Sequence, residues 1–303
     1  IRDRTMIDTQ IAIKQLNNNG SIEINKNIEF FNDINFECLI VNDASTTQLV
    51  TVTNAITTTG GGGDWSDAAS WSTGTTPLAG ADVTIAYQNE RFKSGVEKLI
   101  DGYSNASLEE CDVSSDDSIT DLFSNLKDKY QNIDFLVHSI AFAPREDLAG
   151  DFSETSRESF NIALEISSFS LISLVNNATK LMKNGGSILA LTFQASQSVY
   201  PGYNVMGVAK AALENEVKQL AAEYGSREIR VNALSPGPMD TLAARGIHGF
   251  IDMKKIHAEK APLKRNITHD EVGNAALFLC SDLSTGITGT ILPVDAGYHI
   301  MAV

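Results

Sequence analysis

Between residues 82 and 294 short, almost continuously apolar runs alternate with stripes of helical period, and that alternation restricts the fold more than any other feature. It predicts strands at 82–86, 106–111, 133–138, 187–193, 229–234 and 289–294, and helices at 91–101, 115–130, 156–182, 204–224 and 268–280. The run from Ser187 to Phe193 keeps no polar face for water, so its strand must be covered on both sides. Helix 204–224 carries Val205, Val208, Ala209, Ala212, Leu213, Val217, Leu220 and Ala221 on one stripe and stops at Gly225. Thr268 and Glu271 form a capping box that opens the helix running to Cys280. Apolar strands separated by amphipathic helices give an α/β fold, a doubly wound parallel sheet.

Residues 1–80 follow a different grammar, rich in Asn, Thr, Ser and Gly. Apolar and polar residues alternate from Ser21 to Asn25 and again from Gln48 to Thr53, which is strand period. Three threonines and four glycines run from Thr57 to Gly63, and both Trp residues, Trp65 and Trp71, follow in a turn-rich stretch. The expected organisation is an atypical β-rich or partly disordered extension over 1–80 and a doubly wound α/β domain over 81–303. The short strands resemble pieces of the β-solenoid passenger regions of secreted surface proteins, but no period repeats three times. A chain that opens at Ile1 is expected to be a fragment or a translated reading frame.

Charge narrows the function classes. With 38 acidic against 23 basic side chains, the net charge of −15 repels phosphate backbones and anionic lipid. Neither a nucleic-acid nor a membrane partner is expected. No continuous apolar stretch approaches the roughly 20 residues a membrane helix needs. Cys38, Cys111 and Cys280 are odd in number and far apart, as expected of buried thiols in a reducing cytoplasm.

Doubly wound sheets bind ligands at the carboxyl ends of their strands, so the residues just after each strand are the first candidates. Tyr203 and Lys210 follow the strand at 187–193 and stand seven apart on one helix. Seven steps of 100° fall about 20° short of two turns, so both side chains point one way, about 10 Å apart along the axis. They can serve one ligand. A phenol beside an ammonium is expected to ionise more readily and to donate to a developing oxyanion. Taken alone, this spacing also fits a surface pair.

The wider text is more specific. Residues 201–214 (PGYNVMGVAKAALE) and 135–144 (FLVHSIAFAP) closely resemble the NADH-dependent enoyl-[acyl-carrier-protein] reductases of bacterial fatty acid synthesis, members of the short-chain dehydrogenase/reductase superfamily. Further matching text stands at 111–113, 230–238, 241–244, 270–274 and 278–283. The resemblance implies a Rossmann-type domain that uses NADH to reduce a trans-2-enoyl thioester carried on acyl-carrier protein, in a cytoplasmic homotetramer. It implies that Tyr203 donates to the enolate oxygen and that Lys210 holds the nicotinamide ribose. It places Gln88, Asp112 and Val113 at the adenosine end of the cofactor. Ser139, Ile140, Met239, Thr241, Leu242 and Ala243 fall at its nicotinamide and pyrophosphate side, and Ala143 at the substrate. Gln88 carries no fixed positive charge, which favours NADH, although Arg91 is near enough in sequence to meet a 2′-phosphate.

Alcohol-oxidising members of the superfamily place Lys four residues after Tyr; here that position is Gly207, which disfavours an ordinary alcohol dehydrogenase, and a 3-oxoacyl or other carbonyl reductase of the same superfamily stands as the alternative. Phe193 occupies the position of a second tyrosine found in many bacterial members, and there it can act as a wall. Asp240 brings a negative charge to the expected pyrophosphate side.

The family's opening unit, a strand, a Gly-rich turn and a helix, is not recognisable upstream of residue 81. Its strand belongs at the centre of the sheet, between those ending near Ala86 and His138, and its loss would leave two strand edges unpaired in the interior. Either a substitute strand comes from residues 1–80, with Cys38 to Val41 the best candidate, or a truncated reductase is joined to foreign sequence. The abrupt change of composition near Gly80 favours the second, and an inactive fused product stands as an alternative to the working reductase.

Overall fold

The computed structural model describes residues 51–55, 82–144, 147–148, 150–239, 241 and 249–302. Of the chain's two compact units, the first, Ile1–Leu49, lies outside the described residues, as do the expected strands around Ser21 and Cys38; the second spans Val50–Val303.

The second unit is built on a seven-stranded sheet, all parallel, in the order β3-β2-β1-β4-β5-β6-β7. The strands are β1 (Thr51–Ala55), β2 (Asp82–Tyr87), β3 (Ala106–Glu110), β4 (Phe135–His138), β5 (Gly186–Leu191), β6 (Ile229–Pro236) and β7 (Ile291–Val294). The central place falls to Thr51–Ala55 rather than to Cys38–Val41. Val52 stands opposite Val83 on one side and Phe135 on the other, and Ala55 opposite Ala86 and His138. Both inward edges are therefore paired, which removes the physical argument for a truncated sheet. The strand comes from the alternating run at 48–53 and lies upstream of the boundary expected at residue 80.

Seven α-helices connect the described strands: α1 (Glu90–Ile100), α2 (Asp116–Tyr130), α3 (Arg157–Leu164), α4 (Ser170–Ala178), α5 (Asn204–Tyr224), α6 (Phe250–Lys260) and α7 (His269–Cys280). Local chemistry sets their ends. Ser115 caps α2 by accepting from Ser118 N–H, and Gln131 closes it in the left-handed region at φ 62°. The capping box of α7 is present as expected, with Glu271 also gripped by both terminal nitrogens of Arg265. The helix expected over 156–182 is interrupted by a π turn at Glu165–Phe169 and ends at Ala178. Helix α6 was not anticipated, since its N-cap is Gly249 and no side chain caps it.

Period-2 alternation divides the core between the two faces of the sheet. Leu136, Ile188 and Val231 face α2, α4 and α5, packing with Leu122, Leu126, Leu171, Leu174, Leu213 and Val217. Val83, Phe135, Val137, Leu189 and Leu234 face the other way, against Val272 and Leu279 of α7. Each fully buried Leu or Ile contributes about 1.5–3 kcal/mol by leaving water. The 22 residues Arg157–Ala178 are long and apolar enough to cross a bilayer by composition, yet Leu171, Leu174, Val175 and Ala178 are spent in this core. Burial pushes the thiols of Cys111 and Cys280 up to about 12, as expected of inert interior cysteines.

Candidate active site

The chain leaves β1 toward β2 and β3 on one side of the sheet and takes up β4 on the other, so the order reverses between β1 and β4. The crevice of such a sheet opens at the carboxyl ends of these two strands. Ser139 to Ala143 emerge there from β4. The loop is tied down by Ser167 in the π turn, whose hydroxyl accepts from Phe142 N–H at 2.8 Å and donates to Phe142 C=O at 2.9 Å. The irregular turn thus positions residues that the sequence marked by their place after a strand and by the family resemblance of 135–144.

Lys210 reaches this loop from α5. Its ammonium donates to Ile140 C=O at 3.2 Å and to Leu191 C=O, at the end of β5, at 2.7 Å. The side chain is only 4% exposed, and burial lowers its pKa to about 8, partly opposed by Glu214. Glu214, one turn further along, accepts from Thr192 Oγ1 at 2.8 Å, Ser196 Oγ at 2.5 Å and Gln197 Nε2 at 3.4 Å. It anchors the loop after β5 to α5. Sequence reasoning missed that role, although a Glu on an otherwise apolar stripe was the available signal.

Tyr203 is the N-cap residue of α5, set by a tight turn in which Gly202 adopts φ 80°. It is 9% exposed and packs with Ala143, Val205 and Met206. Burial alone shifts its phenol, upward, which corrects the expectation that the neighbouring ammonium would lower it. The Lys210 charge is instead directed at two carbonyls. A phenol kept neutral is a hydrogen-bond donor across the ordinary pH range. Phe193, just past the end of β5, lies against Tyr203 with ring centres 5.1 Å apart and planes at 58°.

His138, the last residue of β4, is fully buried. Ser170 spends its proton on Ile166 C=O at 2.6 Å, so its oxygen accepts from His138 Nε2–H at 2.8 Å. Nδ1 is buried without a partner, and burial together with the Lys210 charge lowers the pKa to about 3.

At the far side of the crevice, Gln88 follows β2 and Asp112 follows β3. Gln88 Nε2 donates to Asp112 Oδ2 at 3.4 Å, and Asp112 Oδ1 accepts from Ser114 N–H and Oγ–H. These two predicted adenosine-end residues are brought together. Val113 packs in the core with Cys111 and Ile119. Exposed Arg91 lays its guanidinium over Phe92, 5.7 Å from the ring centre. Met239 packs beside Val294 and Leu292, and its carbonyl accepts from Thr241 N–H at 2.9 Å. Leu242, Ala243 and Asp240 lie outside the described residues.

Donors and acceptors at both ends of a crevice at the sheet's switch point suit a dinucleotide, with amide and carboxylate at one end and a buried ammonium and phenol at the other. The class is an oxidoreductase of the doubly wound, dinucleotide-using kind. The family profile described as "Enoyl-(Acyl carrier protein) reductase" matches residues 75–299. The chain is 48% identical over 222 residues to the NADH enoyl-[acyl-carrier-protein] reductase FabI of Rickettsia prowazekii, covering 73% of this chain and 85% of that protein. It is also 48% identical over 222 residues to the Staphylococcus aureus FabI named for NADPH, covering 73% and 87%. Among solved structures, the Bacillus cereus enoyl-acyl carrier protein reductase with NADP+ and indole naphthyridinone superposes with a TM-score of 0.76 at 40% identity, covering 84% of this chain and 98% of that one. The Anaplasma phagocytophilum enzyme in complex with NAD gives 0.75 at 38% identity, covering 84% and 95%. The chain belongs to the enoyl-[acyl-carrier-protein] reductase family of the short-chain dehydrogenase/reductase superfamily and is an oxidoreductase of fatty acid synthesis.

Proposed function

We propose that this chain reduces trans-2-enoyl thioesters on acyl-carrier protein with NADH. The observation that carries the reading is buried Lys210 bridging the carbonyls of Ile140 after β4 and Leu191 in β5, with buried Tyr203 capping the same helix. When bound, NADH would supply a hydride for the β-carbon of the substrate, and a proton from solvent at the α-carbon then completes the saturated thioester. The chain's own residues do the rest. Tyr203 donates its hydroxyl proton in a hydrogen bond to the thioester oxygen as that oxygen gains charge, and its raised pKa keeps the proton in place. Lys210, with two donors on carbonyls, has a third for a ribose hydroxyl. Ala143, Met206 and Phe193 give the reacting carbons a dry, apolar surround.

For the cofactor, the Gln88–Asp112 pair offers a carboxylate that would repel a 2′-phosphate, which supports NADH over NADPH. Val113, Ser139, Met239, Thr241, Leu242 and Ala243 are assigned to the cofactor by the family resemblance. A homotetramer formed through α3, α4 and α5 would cover Phe169 and Ile172, which are 52% and 39% exposed. The proposed location is cytoplasmic, where acyl-carrier protein and NADH meet.

The test follows NADH absorbance with crotonyl thioester as substrate. Turnover that Tyr203→Phe abolishes supports the reading; no turnover refutes it. Running 3-oxoacyl thioester in parallel tests the carbonyl-reductase alternative. Calorimetric titration with NADH, then with NADPH, tests the inert fusion: binding weaker than about millimolar would favour it.

A further inference from the structure

Tyr200, His257 and Tyr298 come from three separate elements and meet beside the site. The phenol of Tyr200 donates to Gln194 Oε1 at 2.7 Å, which uses its only proton. His257 Nε2 lies 3.1 Å from the same phenol oxygen, so the ring nitrogen donates and the oxygen accepts. That fixes the imidazole as the Nε2–H tautomer. The ring also stacks on Tyr298, with centres 3.6 Å apart and planes 17° apart. His257 is 3% exposed, and burial lowers its pKa to about 4 against the opposing charge of Asp295.

Each partner anchors a different piece of chain. Tyr200 precedes α5, His257 lies in α6, and Tyr298 sits in the turn after β7. That turn is pressed onto the end of α6: Gly297 has φ +85°, and a Cβ there would meet the Pro262 ring at 3.0 Å. Asp295 braces it, accepting from Gly297 N–H at 3.0 Å and His299 N–H at 2.7 Å, with His299 Nδ1 at 2.9 Å. On α6, Phe250 and Met253 share the face of His257 and pack on Phe193 and Tyr200. Phe193 in turn touches Tyr200 at 4.8 Å and Tyr203 at 5.1 Å between ring centres.

We propose that His257 is a positioning residue of the reductase site, clamping α6 and the C-terminal turn onto the Phe193–Tyr200 wall that holds Tyr203. It rests on the enoyl-reductase reading above. The clamp touches the wall on the substrate side of Tyr203 and none of the Gln88–Asp112 end, so its loss should loosen acyl binding and leave NADH binding alone. Asp295 and Tyr298 face the imidazole from the C-terminal turn and Tyr200 from the turn before α5; the Asp295 carboxylate is already held by His299.

The experiment compares the full chain with His257→Phe, which keeps a flat ring for Tyr298 but loses the donor, His257→Gln, which restores an N–H at similar reach, and Tyr200→Phe. His257→Phe and Tyr200→Phe should each raise KM for crotonyl thioester about fivefold, with kcat and the KM for NADH within about twofold. The double variant should be no worse than either single one, and His257→Gln should stay within about twofold of the parent. Long-range 15N NMR of the ligand-free protein should give His257 the Nε2–H signature, which Tyr200→Phe weakens. An unchanged KM in His257→Phe, an equal loss in His257→Gln, or the Nδ1–H tautomer would overturn the proposal. If the parent chain reduces no enoyl thioester, the reductase reading fails by itself, and the tautomer measurement still decides whether the clamp exists.

Discussion

At Gly207, helix α5 approaches the turn after β5 so closely that a Cβ would stand 2.8 Å from the carbonyl oxygen of Ala195. This is the position, four residues after Tyr203, where alcohol-oxidising relatives in the superfamily carry their lysine. No side chain fits there without moving backbone, and the lysine of α5 stands three residues further on, at Lys210. Gly207→Ala sets a propensity gain of about 1 kcal/mol against overpacking of about 1–3 kcal/mol. The expected net is a loss of stability, read as a lower urea midpoint, and a fall in kcat as α5 shifts Tyr203. An unchanged midpoint would mean that the turn yields freely.

Tyr203→Phe removes one hydroxyl from an apolar surround and leaves the ring contact with Phe193 in place. Loss of a single donor to a developing oxyanion costs about 10²–10³ in kcat. Stability should change little, because the phenol does no structural work that the ring cannot do. Stopped-flow single turnovers would separate this loss from product release. A fall below about tenfold would mean that another group polarises the thioester.

Lys210 gives a signed pH dependence. Its pKa is about 8 in the folded chain and 10.5 ordinarily, so between those values the folded state binds fewer protons than the unfolded one. Stability therefore rises with pH across that window, and the burial penalty is fully present below about 8. Relative to Lys210→Met, which lacks the group, the parent chain should gain about 2–4 kcal/mol between neutral pH and the upper end of the window. Chemical denaturation of both proteins across that range measures it. Parallel curves would show that the ammonium is already solvated or better paired.

Thr268→Ala tests the one helix start that was legible in full. The capping box uses Thr268 Oγ1 as acceptor for Glu271 N–H at 3.2 Å and returns Glu271 Oε2 to Thr268 N–H at 2.8 Å. Removing the hydroxyl should cost about 1 kcal/mol, seen as a lower thermal midpoint, with kcat unchanged because α7 faces away from the site. Arg265→Ala should cost less, since both partners of that pair are substantially exposed.

Legibility in the sequence followed how local the cause was. Periodicity and caps placed α2, α5 and α7 almost to the residue, but Tyr203 caps α5 instead of lying in it, with Asn204 at φ 31° between it and the helix that carries Lys210. The central strand was harder. Val50 to Thr53 alternates like any exposed strand, and only pairing with β2 and β4 makes it the middle of the sheet. The direction of the Tyr203 shift was misread because proximity of Lys210 along a helix does not reveal that two distant carbonyls hold its charge. Glu214, His257 and α6 escaped for the same reason: their partners lie in other elements.

His138 makes the last test. It is buried neutral, with Nε2–H on Ser170 and nothing on Nδ1, and its pKa falls from 6.5 to about 3. Below 6.5 the unfolded chain takes up a proton that the folded chain refuses, so stability falls as pH drops through that window and the loss is complete near 3. His257, lowered to about 4, adds in the same direction. His138→Gln keeps a donor for Ser170 and cannot charge, so it should lose about 3–5 kcal/mol less than the parent over that range. Acid titration at fixed denaturant, followed by circular dichroism, should show the variant unfolding at lower pH. If the two midpoints coincide, the acid sensitivity of this fold comes from its carboxylates and not from the imidazole at the end of its fourth strand.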